Sequence, residues 1–510
     1  MTEDKLDTTY TDAQREEIQA SLQRRGICVV IPTYNNAATV SVVVTGALRF
    51  CRCVIVVDDG STDGTAEVLA CISAVTIVRH THNKGKGAAL RSGFRRAMEL
   101  GYTYAITLDA DGQHFPSDIP LFLEANRRHP ANIIVGERDM EGAVRSQGSR
   151  FANAFSNFWF CLHTGCRLAD TQTGFRLYPL RHLVGLRFLT SRYEAELELM
   201  VWASWHGVRI VSVPIRVYYP PREERVSHFR PGPDFARISL LNTFLTLGAL
   251  VYGWPLRLLR WLLMAGRTAY SLLFFLFTSL CVFMPWVWLV LHTGKMTEGK
   301  RCHLRHIIHR YARFVMVRHG IPGVRFKCNV AEGTDFSRPH LIICNHQSHL
   351  DLMCQLIFTD KVVFLTNDWV WNSPFFGLLI RNAEYLPVSR GLEEIMPRLR
   401  SLVQRGYSVA VYPEGTRSAD CRIHRFHKGA FLLARELGLD ILPMCLYGTG
   451  KVLPKKCRHL NPGVIAIEVG KTIPLDALGK AGTLRSQTSE MHRRYVEKYA
   501  EMCDNEEKYL

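Results

Sequence analysis

Two acidic clusters lie in the first half of the chain, and each directly follows a short apolar run. Residues 58–60 read Asp-Asp-Gly, and residues 109–113 read Asp-Ala-Asp-Gly-Gln. Carboxylate and amide oxygens are the ligands that Mg²⁺ and Mn²⁺ prefer, and such a cation can neutralise a diphosphate leaving group. Residues 83–87, Asn-Lys-Gly-Lys-Gly, add positive charge and small side chains. Each segment alone is typical of a surface turn, but their ordered occurrence favours a phosphate-binding crevice.

The second half of the chain contains a histidine–carboxylate pair. His346 and Asp351 follow an apolar run and are five positions apart. At this spacing the carboxylate can bond one imidazole nitrogen, which leaves the other nitrogen to take a proton from a hydroxyl. Residues 414–417 read Glu-Gly-Thr-Arg, and Arg417 offers two donors to a phosphate. When this His–Asp spacing occurs without a second motif, the histidine is more often a hydrogen-bonded core residue. The two motifs together indicate acid–base chemistry beside a phosphate.

Short runs of β-branched residues precede the acidic clusters and the histidine motif and would position them. They end in polar loops and alternate with helix-like segments, which predicts two α/β domains with parallel sheets. The runs are 27–31, 54–57, 105–108 and 133–135, then 341–344, 362–365, 409–412 and 464–468. Ligands of such sheets bind at the carboxyl ends of the strands. We expect domains at 26–232 and 300–482, an N-terminal extension at 1–25 and a C-terminal helix at 483–510.

The segment 233–299 is predicted to embed in a membrane. Residues 269–292 contain no charged side chain and are long enough to cross a bilayer; a buried core helix is the alternative. Arg257 and Arg260, among Leu and Trp residues, indicate an interfacial helix. Pro285 could bend the apolar stretch into a re-entrant hairpin, and a re-entrant or interfacial arrangement is the one that we favour.

Two further segments could meet a membrane. The basic segment that ends at Arg230 could contact an anionic lipid head group, or it could be a solvated loop. An aromatic-rich stretch could lie at the bilayer interface or belong to a core; its members are Trp369, Trp371, Pro374, Phe375 and Phe376.

The first domain resembles glycosyltransferase family 2, in its dolichyl-phosphate mannosyltransferase-like branch. The resemblance rests on residues 31–35, 57–64, 83–89, 109–114, 173–178 and 213–215. It implies a GT-A (Rossmann-like) nucleotide-sugar fold with Mg²⁺ or Mn²⁺ as cofactor. The implied contacts are nucleotide-sugar binding by Pro32, Tyr34, Asp59, Lys86 and Asp109, metal binding by Asp111 and Gln113, and phosphate contacts by Arg150 and Arg176.

The catalytic base of the first domain stays open at the level of sequence. A phosphate acceptor is already ionised and needs no strong base, whereas a hydroxyl acceptor needs one. Asp170, Glu194 and Glu198 are the candidates, and the sequence does not choose between them.

The second domain resembles the lysophosphatidic acid acyltransferase family of membrane glycerolipid acyltransferases. Besides the two motifs, residues 386–390, 426–430 and 441–443 support the resemblance. It implies that His346 is the general base, that Asp351 orients it, and that the acyl donor is a thioester of CoA or acyl carrier protein. It also implies an acceptor-binding motif of Glu414, Gly415, Thr416 and Arg417. Lys428 and Arg390 could add positive charge toward a phosphate, whereas the role of His427 stays open.

Composition narrows the class of protein. The chain has 510 residues, 47% of them hydrophobic and 21% charged, which excludes wholesale disorder and a transporter with many spans. Its 63 Lys and Arg against 46 Asp and Glu give a formal net charge of +17, which attracts polyanions. No helix-turn-helix, zinc or RNA-recognition signature is present, so we expect no nucleic-acid partner.

These expectations combine into a bifunctional enzyme of lipid biosynthesis at the bilayer. One half would transfer a sugar from a nucleotide-sugar to a lipid or lipid phosphate, and the other would O-acylate a lipid or glycolipid hydroxyl. An acyltransferase with an inactive sugar-binding domain is the alternative. Nucleotide-sugars and acyl thioesters are cytosolic, so both domains are expected on the cytoplasmic face of the inner membrane.

Overall fold

A computed structural model describes residues 10–138, 147–185, 190–218, 231–373, 376–474, 477, 483–505 and 509. The chain forms two compact units, Met1–Trp261 and Leu262–Leu510. Each unit is built on a seven-stranded sheet with helices against it. The predicted fold class of two α/β domains is therefore confirmed, whereas the predicted domain boundaries stay predictions.

The first sheet has the strand order β3-β2-β1-β4-β6-β5-β7. Its strands are β1 (Ile27–Thr33), β2 (Val54–Asp58), β3 (Thr76–Arg79), β4 (Tyr104–Thr107), β5 (Ile133–Arg138), β6 (Arg176–Pro179) and β7 (Ile210–Ile215). The helices up to the apolar segment are α1 (Asp12–Arg24), α2 (Val40–Leu48), α3 (Thr65–Ala70), α4 (Lys86–Glu99), α5 (Ile119–Arg128), α6 (Gln147–Thr164), α7 (Leu180–Leu183), α8 (Glu194–Trp205) and α9 (Pro231–Gly248). Strands β1, β2 and β4 are parallel, so their carboxyl ends share one edge.

The second sheet has the strand order β11-β10-β12-β9-β13-β14-β8. Its strands are β8 (Val324–Val330), β9 (Leu341–Cys344), β10 (Val362–Thr366), β11 (Leu386–Pro387), β12 (Ser408–Val411), β13 (Ile441–Tyr447) and β14 (Gly463–Val469). The remaining helices are α10 (Trp254–Thr278), α11 (Met284–His292), α12 (Glu298–Arg313), α13 (Leu350–Leu356), α14 (Asp368–Trp371), α15 (Gly377–Asn382), α16 (Leu392–Gln404), α17 (Gly429–Leu437), α18 (Thr449–Val452) and α19 (Leu484–Asp504).

Both sheets are mixed, whereas the sequence predicted parallel sheets. Strand β6 runs antiparallel between β4 and β5, and β14 runs antiparallel to β13. A run of β-branched residues looks the same in either direction, because strand direction is set by the connections and not by side-chain alternation. The predicted parallel arrangement holds for the strands that carry the acidic and histidine motifs.

Strand β1 is longer than the sequence indicated. The apolar run was bounded at 27–31, but the strand continues to Thr33, and Pro32 stands opposite Val57 of β2. The pairing of β1 with β4 ends at Val30. Because Pro32 lies beyond that last pair, its missing N–H removes no bond to β4, as at a sheet edge.

The helical residues between the two sheets run without a break over 57 residues, Ala236–His292. This helix is long and apolar enough to cross a membrane by length and composition. The hairpin that Pro285 could have formed is absent, because α11 continues the helix and a π-helical turn, Ser279–Phe283, precedes the proline. A π-turn re-routes the bonds around a missing N–H. Large apolar side chains are exposed along the helix Ala236–His292, such as Val251 at 81% and Trp288 at 61%.

Arg257 and Arg260, which the sequence assigned to an interfacial helix, both bond to helix ends of the first unit. The Arg257 guanidinium donates to the carbonyl of Thr164, the last residue of α6. The Arg260 guanidinium donates to the carbonyl of Trp205, the last residue of α8. Cations stabilise the carbonyl end of a helix, so these arginines fasten the start of α10 to the first unit.

Helix α19 belongs to the core of the second unit. The Tyr495 hydroxyl donates to the carbonyl of Ile343 in β9 (2.5 Å) and accepts from the Met444 amide in β13 (3.0 Å). Met491 and Met502 are buried beside it. The C-terminal helix therefore supports the strand that ends at the histidine motif.

Candidate active sites

The loops after β1 and β2 form one wall of the first candidate site. Pro32 is buried in β1, and Tyr34 follows the strand and is half-buried. Asn35 adopts a φ of 53°, and its backbone N–H donates to Ser61 Oγ (3.0 Å). The Asn35 side-chain oxygen accepts from the Thr62 amide (2.8 Å). These bonds join the two loops, which hold the predicted nucleotide-contacting residues Pro32 and Tyr34 at the sheet edge.

Asp59 shapes a loop instead of pointing into open space. Its carboxylate accepts from the backbone amides of Lys84 (3.0 Å) and Gly85 (2.7 Å) and contacts His80 Nδ1 (2.6 Å). Asp59 is 3% exposed. The sequence predicted a nucleotide contact for this residue; the structure directs its carboxylate at protein groups, because three donors surround it. Asp59 therefore fixes the segment 83–87 beside the crevice.

Lys86 stands between two carboxylates at the carboxyl end of β4. Its Nζ lies 2.7 Å from Asp109 Oδ1 and 2.9 Å from Glu196 Oε2. Burial acts to lower the pKa of Lys86, but these carboxylates outweigh it and hold the pKa above its usual value. Burial would raise the pKa of Asp109, yet Lys86 keeps it below the usual value. Lys86 and Asp109 are therefore both charged at neutral pH.

Glu196 is a site residue that the sequence analysis missed. The run Glu194, Glu196 and Glu198 opens α8, and the two outer members, which share a helix face, had been named as candidate bases. The middle member contacts Lys86, and its Oε1 lies 3.7 Å from Arg176 Nη1. The alternating glutamates were the available signal, but helix spacing alone does not tell which face meets the crevice.

Asp111 is suited to a divalent cation. Burial, then the nearby Asp109 carboxylate, raises its pKa to about 6, and a cation between the two acids would relieve that repulsion. Asp111 Oδ1 accepts from the Gln113 amide (3.0 Å), which fixes the turn. Within the described residues no three His, Cys, Asp or Glu side chains form a metal cluster. Mg²⁺ commonly uses one or two carboxylates and completes its shell with substrate phosphates and water, so the donor set fits.

Two other predicted residues are engaged within the protein. Arg176, expected to face phosphates, is 1% exposed and donates to the Tyr178 hydroxyl and the Thr171 carbonyl. Asp170 is buried and accepts two bonds from Arg138 at 2.5 and 2.8 Å. Burial would raise the pKa of Asp170, but Arg138 keeps it below its usual value, which makes Asp170 a poor base.

The remaining predicted residues of the first unit differ in what can be described. Glu198 is 1% exposed and accepts from the amide and hydroxyl of Thr190. Glu194, the first residue of α8, is buried and is the candidate base that these contacts leave. Arg150 lies in α6, but its side chain falls outside the described residues, as does all of Arg230.

The Asp109 carboxylate leaves no room for a side chain at Gly174. A Cβ at this position would lie 2.2 Å from Asp109 Oδ2, closer than any real contact. We expect Gly174→Ala to displace Asp109 from Lys86 and to lower glycosyl transfer on the order of 10²-fold or more, because small misplacements have such effects. Initial rates with nucleotide-sugar test this. Gly232→Ala, where the added methyl meets nothing within 4 Å, is the matched control, and equal rates in both variants would contradict the prediction.

The second candidate site lies at the carboxyl end of β9. His346 Nδ1 is 2.9 Å from Asp351 Oδ2, and the same oxygen accepts from the amides of Gln347 (2.6 Å) and Ser348 (2.8 Å). Asp351 is fully buried, whereas the His346 side chain is 22% exposed. With Nδ1–H donating to the carboxylate, Nε2 is the proton acceptor. The geometry is that of an oriented general base.

Three contacts hold the histidine in place. Its ring stacks on Tyr412 with centroids 4.0 Å apart. Its backbone amide donates to Glu414 Oε1 (2.8 Å), and Glu414 Oε2 accepts from the His424 amide (2.8 Å). The neighbouring Asn345 ties the end of β9 to Leu446 of β13 by two hydrogen bonds. Glu414, predicted to bind the acceptor, is 3% exposed and acts on the histidine backbone.

The rest of the Glu-Gly-Thr-Arg motif lies at the surface beside His346. Gly415 adopts a φ of +68°, which favours glycine, and Thr416 is exposed. Arg417 is half-buried, and its carbonyl accepts from Lys455 Nζ at 2.7 Å. Lys455 is a further cation that the sequence analysis missed. Arg417 and Lys455 supply positive charge on this loop.

Glu414 gives the second unit a dependence on pH. Burial raises its pKa to about 7 from 4.5, so the folded state holds a proton that the unfolded chain has lost. Its contribution to stability is therefore full below about pH 4.5, falls as pH rises, and is lost above about pH 7. We expect the melting temperature of the wild type to fall more than that of Glu414→Gln between about pH 5 and about pH 8.

Differential scanning fluorimetry across pH measures this effect. Glu436→Gln is the matched control, because Glu436 is exposed and paired with Arg400, and its curve is expected to follow the wild type. Parallel curves for the wild type and Glu414→Gln would contradict the assignment.

The aromatic-rich stretch near α14 lies at the surface. Trp369 is 65% exposed and Phe376 is 43% exposed, so the core alternative is wrong for these two side chains. Arg390 lies over the Trp371 ring at 5.5 Å and pairs with Glu394. Pro374 and Phe375 fall outside the described residues.

Comparison with known proteins agrees with the two sites. Residues 28–178 match the family model "Glycosyl transferase family 2", and residues 324–447 match the family model "Acyltransferase". The undecaprenyl-phosphate mannosyltransferase of Micrococcus luteus is 32% identical over 202 residues, which are 37% of this chain and 82% of that protein. The predicted family resemblances are confirmed.

The relatives that match the second unit are covered over a smaller share of their own length. A chloroplastic 1-acyl-sn-glycerol-3-phosphate acyltransferase of Brassica napus is 33% identical over 140 residues, 26% of this chain and 41% of that protein. The chain thus spans about two fifths of the length of the plant acyltransferases that it matches. The crystal structure of the 1-acyl-sn-glycerophosphate acyltransferase of Thermotoga maritima aligns with a TM-score of 0.39 at 23% identity, covering 46% of this chain and 97% of that one.

Proposed function

Because the chain belongs to glycosyl transferase family 2 and carries a second transferase domain of the acyltransferase family, we propose that it builds an acylated glycolipid or a precursor of one. The first unit would transfer a sugar from a nucleotide-sugar to a lipid phosphate. The second would transfer an acyl group from a thioester to a lipid hydroxyl. The observation that carries this proposal is the pair of sites, Lys86–Asp109–Glu196 and His346–Asp351, each at the carboxyl edge of its own sheet.

A cation held by Asp109 and Asp111 would supply positive charge to the departing diphosphate. Other residues of the protein orient these two carboxylates. Lys86 keeps Asp109 ionised and oriented, and the turn at Gln113 orients Asp111. Gln113 itself is proposed as a further oxygen ligand on the strength of its position in the motif.

A phosphate acceptor agrees better with the first site than a hydroxyl acceptor does. Two of the three candidate bases are saturated, Asp170 by Arg138 and Glu198 by Thr190. A phosphate oxygen is already nucleophilic at neutral pH, so the reaction would need no further base. The relative from Micrococcus luteus is named for an undecaprenyl-phosphate acceptor, which supports a lipid phosphate for this chain.

In the second site His346 Nε2 would take the proton of the acceptor hydroxyl while the oxygen attacks the thioester carbonyl. Asp351 stabilises the imidazolium that forms, as in other acid–base triads. The proton then passes from His346 to the departing thiolate. Arg417 and Lys455 would hold a phosphate of the acceptor near the reacting hydroxyl.

The apolar surface supports the proposal that the reactions take place beside a bilayer. The helix Ala236–His292 and the exposed Trp369 and Phe376 would contact lipid. Both donors are soluble cytosolic compounds, so we propose that both units lie on the cytoplasmic face of the cell membrane.

Reconstitution of the full chain in phospholipid nanodiscs tests the function. Nucleotide-sugars, polyprenyl phosphate, lysophosphatidate and palmitoyl-CoA are supplied with Mg²⁺ or Mn²⁺, and lipid products are identified by mass spectrometry. Two product classes are expected, a glycosylated lipid phosphate and an acylated lipid. Acylated lipid without any sugar transfer across the nucleotide-sugars would favour the alternative of an inactive sugar-binding domain.

A further inference from the structure

A basic cavity lies in the second unit, between residues 425–428 and the first turns of α19. Its volume is about 310 Å³, at the lower end of small-molecule sites. Basic side chains and hydroxyls line it, namely Arg425, Lys428, Arg485, His492, Thr488 and Ser489. Among its described lining residues there is no carboxylate, so the cavity is suited to an anion.

The fold concentrates this charge. Arg485, Thr488, Ser489 and His492 share one face of α19, because three- and four-residue steps bring side chains to the same side of a helix. Lys428 is the N-cap of α17, so the amide ends of α17 and α19 both lie close to the cavity. Helix N-termini favour anions.

His492 is a lining residue of the cavity with one unpaired ring nitrogen. Its Nε2 is buried and has no hydrogen-bond partner among the described residues, although buried polar atoms are almost always bonded. Phe426, which is 2% exposed, holds the imidazole edge to face at 5.3 Å. By contrast, Arg493 and Arg494 in the same turn are neutralised by Glu490.

The cavity adjoins the acyltransferase loop without sharing its cations. Between Phe426 and Lys428, the His427 amide donates to the Pro413 carbonyl (2.8 Å). The His427 ring lies 3.3 Å from where a Cβ on Gly415 would stand. The second unit therefore offers two cationic places, one on the Arg417 loop beside His346 and one in this cavity.

We propose that this cavity binds the phosphate groups of the acyl donor, a coenzyme A thioester; this rests on the proposed acylation. In a glycerolipid acceptor the phosphate lies a few bonds from the reacting hydroxyl, which suits Arg417 beside the histidine. In coenzyme A the phosphates are separated from the thioester by the long pantetheine arm, so they need a second cationic place away from His346. The four basic side chains of the cavity match the several phosphate charges of coenzyme A.

Equilibrium binding to the full chain in detergent tests the assignment. The probes are coenzyme A, 3′-dephospho-coenzyme A, pantetheine and inorganic phosphate, measured by isothermal titration calorimetry. We expect Arg485→Gln and Lys428→Gln each to raise the Kd for coenzyme A on the order of tenfold, with His492→Gln smaller and pantetheine unaffected. Arg493→Gln, whose side chain pairs with Glu490 and Glu497, is the matched control and is expected to change nothing.

Three outcomes would overturn the assignment. These are an unchanged Kd for coenzyme A in Arg485→Gln and Lys428→Gln, a raised KM for lysophosphatidate instead of the donor, or phosphate binding as tight as that of coenzyme A. The two proposals fail separately. Arginine-dependent binding of coenzyme A without acyl transfer would reject the proposed acylation alone, and acyl transfer with unaltered binding would reject the cavity alone.

Discussion

His346→Ala is expected to reduce acyl transfer by roughly 10³-fold or more and to leave glycosyl transfer unchanged. A positioned base contributes about 10²–10⁴-fold, and no other described imidazole shares the contact with Asp351. The side chain is partly exposed, and among the described residues its hydrogen bond is to Asp351 alone, so the variant should fold. Rates of acyl transfer to lysophosphatidate from palmitoyl-CoA measure the effect.

The chain offers a close control for this prediction. His306 Nδ1 contacts Asp360 Oδ2 at 2.8 Å, nearly the distance of the His346 pair, but both side chains are partly exposed, at 47% and 32%. His306→Ala is therefore expected to keep full acyl transfer. Asp351→Asn should lose nearly as much as His346→Ala, because an amide can fix the wrong imidazole tautomer. An active His346→Ala protein would remove the acid–base mechanism.

Asp111→Asn is expected to reduce glycosyl transfer by roughly 10³-fold while acyl transfer stays at the wild-type level. Charge neutralisation of a departing diphosphate is worth several kcal/mol, and each 1.36 kcal/mol is about a tenfold change in rate. Asparagine keeps the size of the side chain and one oxygen, so the loss reports charge. Asp12→Asn is the matched control, since Asp12 lies exposed on α1 and pairs with Arg15.

The same carboxylate predicts how the metal requirement changes with pH. Because the pKa of Asp111 is about 6, protons compete with the cation below that pH. The Mn²⁺ concentration for half-maximal rate is expected to rise about tenfold per pH unit below about pH 6 in the wild type. Full activity in the presence of a chelator, or an active Asp111→Asn protein, would contradict a metal-assisted reaction.

The two predicted site motifs differ in how well sequence reasoning placed their residues. His346 and Asp351 are neighbours in the chain, so local geometry decides their contact, and the structure brings them together. Lys86, Asp109 and Glu196 come from three distant elements, and only the first two were named. Asp59 and Arg176 carry the right charge for a ligand contact, yet their bonds to backbone groups turn them inward.

Sequence by itself determined the chemistry of this protein and the number of its sheets. Motif residues and the apolar runs before them are local features of the sequence. A motif in the loop after a strand therefore lies at the end of that strand, whichever strands pair with it. Tertiary structure alone decided which charged groups face the crevice, which strands run antiparallel, and that α19 supports β9. Those outcomes depend on packing between segments far apart in the chain, where burial, pairing and helix ends select one arrangement among many that the same residues allow.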